Sequence, residues 1–145
     1  MQPPIAESEP ADVWAALESG GKAIVIDVRT RAEWTFVGLP LLPAGAPEIA
    51  LIEWQSYPAM AVTPDFAERA LAAINEAEAE TAFFLCRSGV RSLHAAVATK
   101  AAAEAVGRNV DCVNVTGGFE GDPNSQGRRG SVNGWKAQGL PWRQA

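Results

Sequence analysis

The chain has 145 residues, with twelve basic and seventeen acidic side chains and a formal net charge of −5 at pH 7. That balance excludes nucleic acid or an anionic membrane as the main partner, because both need a positive face. With two cysteines and a single histidine there is neither a CxxC pair nor a zinc set, so no metal or cofactor is expected, and the length fits one domain over residues 1–145.

The first seven residues lack a basic region followed by an apolar one, so no secretory signal is expected. The longest mildly apolar stretch, residues 93–106, is interrupted by His94, Lys100 and Glu104 and is too short to span a bilayer. The expectation is a soluble cytoplasmic protein whose thiols stay reduced. Pro10 to Ser19 reads as a first helix, with Val13, Trp14 and Leu17 on one face and Gly20-Gly21 as its stop. Residues 23–28 form a continuous apolar run, as a buried parallel strand does. Thr30 and Glu33 have capping-box spacing, predicting a short helix that ends near Gly38. A second strand is expected around residues 49–53. Thr63 as N-cap and Pro64 at N1 predict a helix that turns Phe66, Ala70, Leu71 and Ile74 inward.

Residues 81–85 predict a third strand, 92–105 a helix closed by Gly107, and 110–115 a fourth strand. This alternation predicts an α/β fold with a mainly parallel central sheet flanked by helices. Residues 117–130 are nearly devoid of apolar side chains and read as a surface loop. Beyond them, Val132, Trp135, Leu140 and Trp142 predict a tail with a short helix, docked onto the body by its tryptophans.

Chemistry concentrates in Cys86-Arg87-Ser88-Gly89-Val90-Arg91-Ser92, where a cysteine ends a strand and faces a helix start. Free helix N–H groups and the two arginines would stabilise a thiolate there, and an anion lying on it. A buried cysteine that merely ends a strand accounts for neither the arginines nor Gly89. In open parallel sheets ligands bind at the carboxyl ends of strands, which gathers residues 27–29, 54–60, the Cys86 loop and 116–119 on one rim.

These segments resemble the single-domain rhodanese-like sulfurtransferases. The matching pieces are Val25-Ile26-Asp27-Val28-Arg29 followed by Glu33-Trp34, the Cys86-to-Ser92 loop, Val115-Thr116-Gly117-Gly118-Phe119, Asn133-Gly134-Trp135 and Gly139-Leu140-Pro141-Trp142. The resemblance covers most of the chain and implies a three-layer fold. It also implies that Cys86 is the nucleophile that holds a sulfane sulfur as a persulfide, cradled by backbone N–H groups from Arg87 to Ser92. One departure is visible: where the family carries a Gly-His-Ile-Pro-Gly-Ala stretch, this chain has Gly38-Leu39-Pro40 and no histidine.

Thiolate and persulfide are both anionic, so a ring of N–H donors serves both without a general base. His94 reads as a helix-surface residue. Arg87 and Arg91 could clamp the sulfonate end of a thiosulfate-like donor, or pair with Asp27 or Glu120 and brace the loop; binding is expected of at least one. Asp27 and Arg29 are expected to form structural charge pairs, with Glu33 a further partner. Trp54, Tyr57 and Met60 could wall the pocket or pack in the core, and Cys112 reads as a small buried hydrophobe. The expected acceptors are cyanide, a thiol or a sulfur-carrier protein. Two other functions use similar parts: a cysteine-dependent phosphatase or arsenate reductase, and a non-catalytic interaction module. Four residues separate Cys86 from Arg91, one fewer than in the phosphatase pattern, so the cradle is expected to be too tight for tetrahedral phosphate. The nucleophile's presence argues against the non-catalytic alternative.

Overall fold

The computed structural model describes residues 5–144. Five strands form an all-parallel sheet: β1 (Ala6–Ser8), β2 (Ala23–Asp27), β4 (Ala50–Leu51), β7 (Thr81–Leu85) and β8 (Asp111–Val115), in the order β1-β8-β7-β2-β4. Each central strand alternates its side chains between two cores. On one side Ile24, Ile26, Ala82, Phe84, Cys86 and Cys112 pack with Phe66, Ala70 and Ile74 of α3 (Phe66–Glu76) and with Ala95, Ala96 and Ala103 of α4 (Val90–Ala105). On the other, Val25, Phe83, Leu85, Val113 and Val115 meet Val13 and Leu17 of α1 (Pro10–Glu18), together with Phe119 and Trp135. The expected three-layer α/β arrangement is thus the observed one.

From β2 the chain passes to β4 on one side and then returns to β7 on the other. The order therefore reverses between β2 and β7, the crevice where parallel sheets bind ligands. Helix α2 (Arg31–Phe36) begins as the spacing predicts: the Thr30 hydroxyl accepts the Glu33 N–H, and the Glu33 carboxylate accepts the Thr30 N–H.

Several expectations are corrected. The strand expected at 49–53 is only Ala50–Leu51, because its partner β2 ends at Asp27; beyond it only the Ile52 and Trp54 amides reach back, to the carbonyls of Asp27 and Val28. Helix α3 starts at Phe66 with Asp65 at the N-cap position, not at Thr63-Pro64, since those residues form a turn closed by the Phe66 N–H on the Thr63 carbonyl. Helix α4 starts two residues before Ser92, because Gly89, at φ 114°, turns the loop directly into the helix. Strand β1 was not expected; it gains its hydrogen bonds only from β8 at the sheet edge. The tail forms no helix. It folds as turns ending in β9 (Trp142–Arg143), antiparallel to β3 (Leu39–Pro40), so the segment that departs from the family pattern is the one the tail covers. A small hairpin pairs β5 (Gln55–Ser56) with β6 (Ala61–Val62).

Two ion pairs tie the rim together. Arg29, fully buried, grips the buried Asp27 through Nε at 2.9 Å and Nη2 at 2.7 Å, donates from Nη2 to the Gly38 carbonyl at 2.8 Å, and lies 4.4 Å over the Phe119 ring. Glu33 pairs not with Arg29, as entertained above, but with Arg91 of α4 in a bidentate contact at 2.7 and 2.9 Å. Burial would raise the Glu33 carboxyl, but the Arg91 guanidinium and the Thr30 N–H and hydroxyl outweigh it and hold the group below its ordinary range.

Asp27→Asn leaves the Arg29 charge buried without its counter-ion, and a loss of about 3–5 kcal/mol is expected in urea unfolding. For Glu33 the folded-state carboxyl titrates below the unfolded one. Its contribution is therefore complete above the ordinary value of 4.5 and is lost as pH falls through the folded-state value. Glu33→Gln should cost about 1–3 kcal/mol at pH 7, and the gap to the parent should close on acidification below that ordinary value. Urea midpoints measured across pH 3–7 check this; a gap that stays constant would exclude the pair as its source.

Candidate active site

Cys86 follows β7 at the reversal point, buried at 1% exposure, yet it forms part of the wall of a cavity of about 180 Å³ shared with Arg87, Ser88, Val90 and Arg91. The Gly89 N–H donates to Sγ at 3.1 Å. Gly89 reaches that position through its left-handed backbone, which a side chain would strain. The amides of Val90, Arg91 and Ser92 open α4 and have no preceding helical carbonyl to bond, so the helix start adds positive potential beside the sulfur. Of the cradle expected from Arg87 to Ser92, Gly89 supplies the backbone hydrogen bond made to Sγ among the described residues.

What shapes the loop lies beneath it. The Phe119 N–H donates to the Cys86 carbonyl at 2.8 Å, and the N–H groups of Glu120 and Gly121 both donate to the Arg87 carbonyl at 3.0 Å. Gly118 passes so close that a Cβ there would stand 2.5 Å from the Cys86 carbonyl oxygen. The run 117–130 is therefore not all surface loop: Gly117, Gly118, Phe119 and Gly121 are buried as a platform under the Cys86 turn, and most of 122–130 is exposed.

Ser92 is fully buried, with Oγ 3.2 Å from Sγ, and its hydroxyl donates to Asn114 Oδ1 at 2.6 Å. Asn114 Nδ2 donates in turn to the Gly89 carbonyl and to Glu7, both at 3.0 Å. Neither Asn114 nor Glu7 was anticipated. A polar residue within the apolar run 110–115 near a strand's carboxyl end was the available signal for Asn114; Glu7 gave none, since it depends on the unexpected β1.

The two arginines divide. Arg91 is engaged by Glu33, the bracing role, whereas Arg87 is exposed and makes no ion pair among the described residues. Arg87 and Arg91 also wall a second cavity of about 450 Å³ with Glu33, Val37, Met60, Glu120 and Arg129. Tyr57 and Met60 border an apolar trough beside it with Phe36 and Val37. Trp54 lines none of these; it packs edge-to-face on Phe66 at 5.2 Å, the core alternative. His94 is exposed on α4. Cys112 is buried within the sheet, and desolvation pushes its thiol up to about 11, so it stays protonated at neutral pH. Among the described residues no group of three or more His, Cys, Asp or Glu side chains is placed to hold a metal ion, and no helix is long and apolar enough to cross a membrane.

No protein-family model matches the chain. Among proteins, the uncharacterized RC0915 of Rickettsia conorii is 36% identical over 126 residues, covering 87% of each chain. Among solved structures, Rv0390 of M. tuberculosis is 36% identical with a TM-score of 0.77, covering 97% of this chain and 98% of that one. The As-Sb reductase of Leishmania major, 21% identical with a TM-score of 0.58 over 80% of this chain and 74% of its own, shares the fold alone. With its parallel sheet, its Cys86 loop seated on Gly117-Gly118-Phe119 and its near-full-length kinship to RC0915 and Rv0390, the chain belongs with them to a family of single rhodanese-like domains.

Proposed function

We propose that the protein is a sulfurtransferase that carries a sulfane sulfur on Cys86. The observation that carries this reading is Sγ facing a cavity of about 180 Å³, with the Gly89 N–H aimed at it and no histidine in contact. A cavity of that size takes a small inorganic anion; at about 30 Å³ per water-sized group, the five heavy atoms of thiosulfate need roughly 150 Å³. The Cys86 thiolate attacks the outer sulfur of thiosulfate, the S–S bond breaks with its electron pair leaving on sulfite, and Cys86 becomes a persulfide. Cyanide or a thiolate then attacks the outer sulfur and restores the Cys86 thiolate. Both protein-bound states are anionic at the reacting sulfur, so a fixed N–H donor and the start of α4 serve each without a proton transfer. Arg87, free of carboxylate partners among the described residues, is the group that meets the donor's charge, while Arg91 holds the loop through Glu33.

The reductase and phosphatase alternatives gain nothing from the Leishmania likeness, which is one of fold. The four-residue interval between Cys86 and Arg91, with that arginine already engaged, supports sulfur transfer over phosphate or arsenate chemistry.

Intact-mass analysis after incubation with thiosulfate should show one added sulfur, absent in Cys86→Ser and retained in Cys112→Ser. Turnover to thiocyanate should vanish with it. Arg87→Ala should lower kcat/KM for thiosulfate roughly ten- to hundredfold, the worth of one charge-assisted hydrogen bond. Aryl phosphate hydrolysis should be negligible; efficient phosphatase turnover, or thiocyanate formation by Cys86→Ser, would overturn the assignment.

A further inference from the structure

The hydrogen bonds beneath Cys86 run in one direction, and β8 sets it. The side-chain amide of Asn114, a residue only 2% exposed, turns one edge to the Gly89 carbonyl and to Glu7 Oε1, both at 3.0 Å. A carbonyl oxygen can only accept, so that edge is the NH2 group, and Oδ1 is left to face Ser92. Oδ1 also can only accept, so the single hydroxyl proton of Ser92 is spent on the 2.6 Å contact between them. What Ser92 Oγ presents to Sγ, 3.2 Å away, is therefore a lone pair. The Gly89 N–H meets the same sulfur as a donor at 3.1 Å. Sγ thus lies between one group that supports negative charge and one that opposes it. Ser92 is fully buried, so bulk water does not relieve the opposition. Of the charged side chains around this corner, Arg91 is matched by Glu33, Arg29 is matched by Asp27, and Arg87 is exposed.

Taking Cys86 as the sulfur carrier, we infer that Asn114 is a positioning residue that fixes Ser92 as an acceptor toward Sγ, so that the pair disfavours the bare thiolate and spares the persulfide. In the free protein an Sγ–H donates to Ser92 Oγ. In the loaded protein Sγ bears the outer sulfur in place of the proton, and the negative charge resides mainly on that outer sulfur, away from the Ser92 lone pair. On unloading, the acceptor attacks the outer sulfur and the S–S bond breaks with its electron pair returning to Sγ, which brings charge directly against Ser92 Oγ. The network therefore slows discharge and keeps the sulfur on the protein. A Ser92 hydroxyl released from Asn114 would act in the opposite sense, turning its proton onto Sγ as a charge-assisted hydrogen bond to the thiolate.

The test is alkylation of Cys86 at neutral pH by iodoacetamide, a neutral probe that the arginines do not steer, followed by mass analysis of the Cys86 peptide. Ser92→Ala should react roughly two- to tenfold faster than the parent, the worth of one hydrogen bond. Asn114→Ala should also react faster, and in that background the sign reverses: adding Ser92→Ala should slow alkylation, because the released hydroxyl had been donating to the sulfur. Discharge of the thiosulfate-loaded persulfide to cyanide should accelerate in Ser92→Ala. The direction is also visible without any reaction. The S–H stretching band that disappears in Cys86→Ser, recorded by infrared difference at acidic pH, should lie at the lowered frequency of a hydrogen-bond donor and move up in Ser92→Ala. Slower alkylation in Ser92→Ala, the same sign in both backgrounds, or an S–H band that Ser92→Ala leaves unmoved overturns the assignment. Should Asn114→Ala fail to fold, the alkylation rate and the band of Ser92→Ala decide it. Failure of Cys86 to load from thiosulfate, with the band shift and the alkylation signs as expected, overturns the sulfurtransferase reading and leaves the hydrogen-bond direction standing.

Discussion

The shape of the Cys86 turn depends on the backbone hydrogen bonds that pin the Cys86 and Arg87 carbonyls onto the amides of Phe119, Glu120 and Gly121. A trans peptide points its N–H opposite to its carbonyl, so drawing these two carbonyls down onto the platform turns the N–H groups of Arg87 and Ser88 the other way. The platform itself is fixed from the far side, where the Trp135 N–H donates to the Gly118 carbonyl at 2.8 Å and the Trp135 ring is buried against Trp14 of α1. The last quarter of the chain thus sets the shape of a loop formed much earlier. Gly118 is required there because no side chain fits between platform and turn.

Charge is distributed over the rim in layers of decreasing burial. Asp27 and Arg29 are wholly buried and neutralise one another, as a low-dielectric interior demands of any ion it holds, although Arg29 Nη1 makes no hydrogen bond among the described residues. Glu33 and Arg91 are partly buried and link α2 to α4 across the mouth of the site. Arg87 and Arg129, at the outer edge, have no carboxylate partner among the described residues. A guanidinium already clasped by a carboxylate has little left to offer an anion, so the uncompensated positive charge at the mouth of the site lies on these outer groups and at the start of α4.

The two cysteines show how position within one sheet sets a thiol's surroundings. Cys112 lies within β8, where desolvation raises its thiol and the charge of Lys100 offsets only part of that rise. Cys86 lies one residue past the end of β7, where the chain has left the ladder and its sulfur meets the Gly89 N–H and the buried Ser92 hydroxyl. Asn114 joins these parts by holding both the Ser92 hydroxyl and the Gly89 carbonyl. It sits on the same sheet face as Cys112 because it follows two residues later, and this alternation aims its amide at the start of α4.

By itself the sequence determined what short-range physics controls. The apolar runs of β2 and β7, the Thr30–Glu33 capping box, the α/β alternation and a cysteine at a strand-to-helix turn are local patterns, and each is present where its residues predict it. The tertiary structure alone decided which charges meet. Nothing in the spacing of Glu33 and Arg91, 58 residues apart, chooses their pairing over Arg87 or Arg29; the packing of α2 beside α4 does. The same holds for Trp54, turned into the core by Phe66, for Gly117 to Gly121, whose polar-looking composition hides a buried platform, and for β1, which exists only because β8 offers it an edge. Patterns along the chain record secondary structure because helix and strand are periodic. Pairings between distant side chains depend on packing and desolvation, which arise only once the layers are closed.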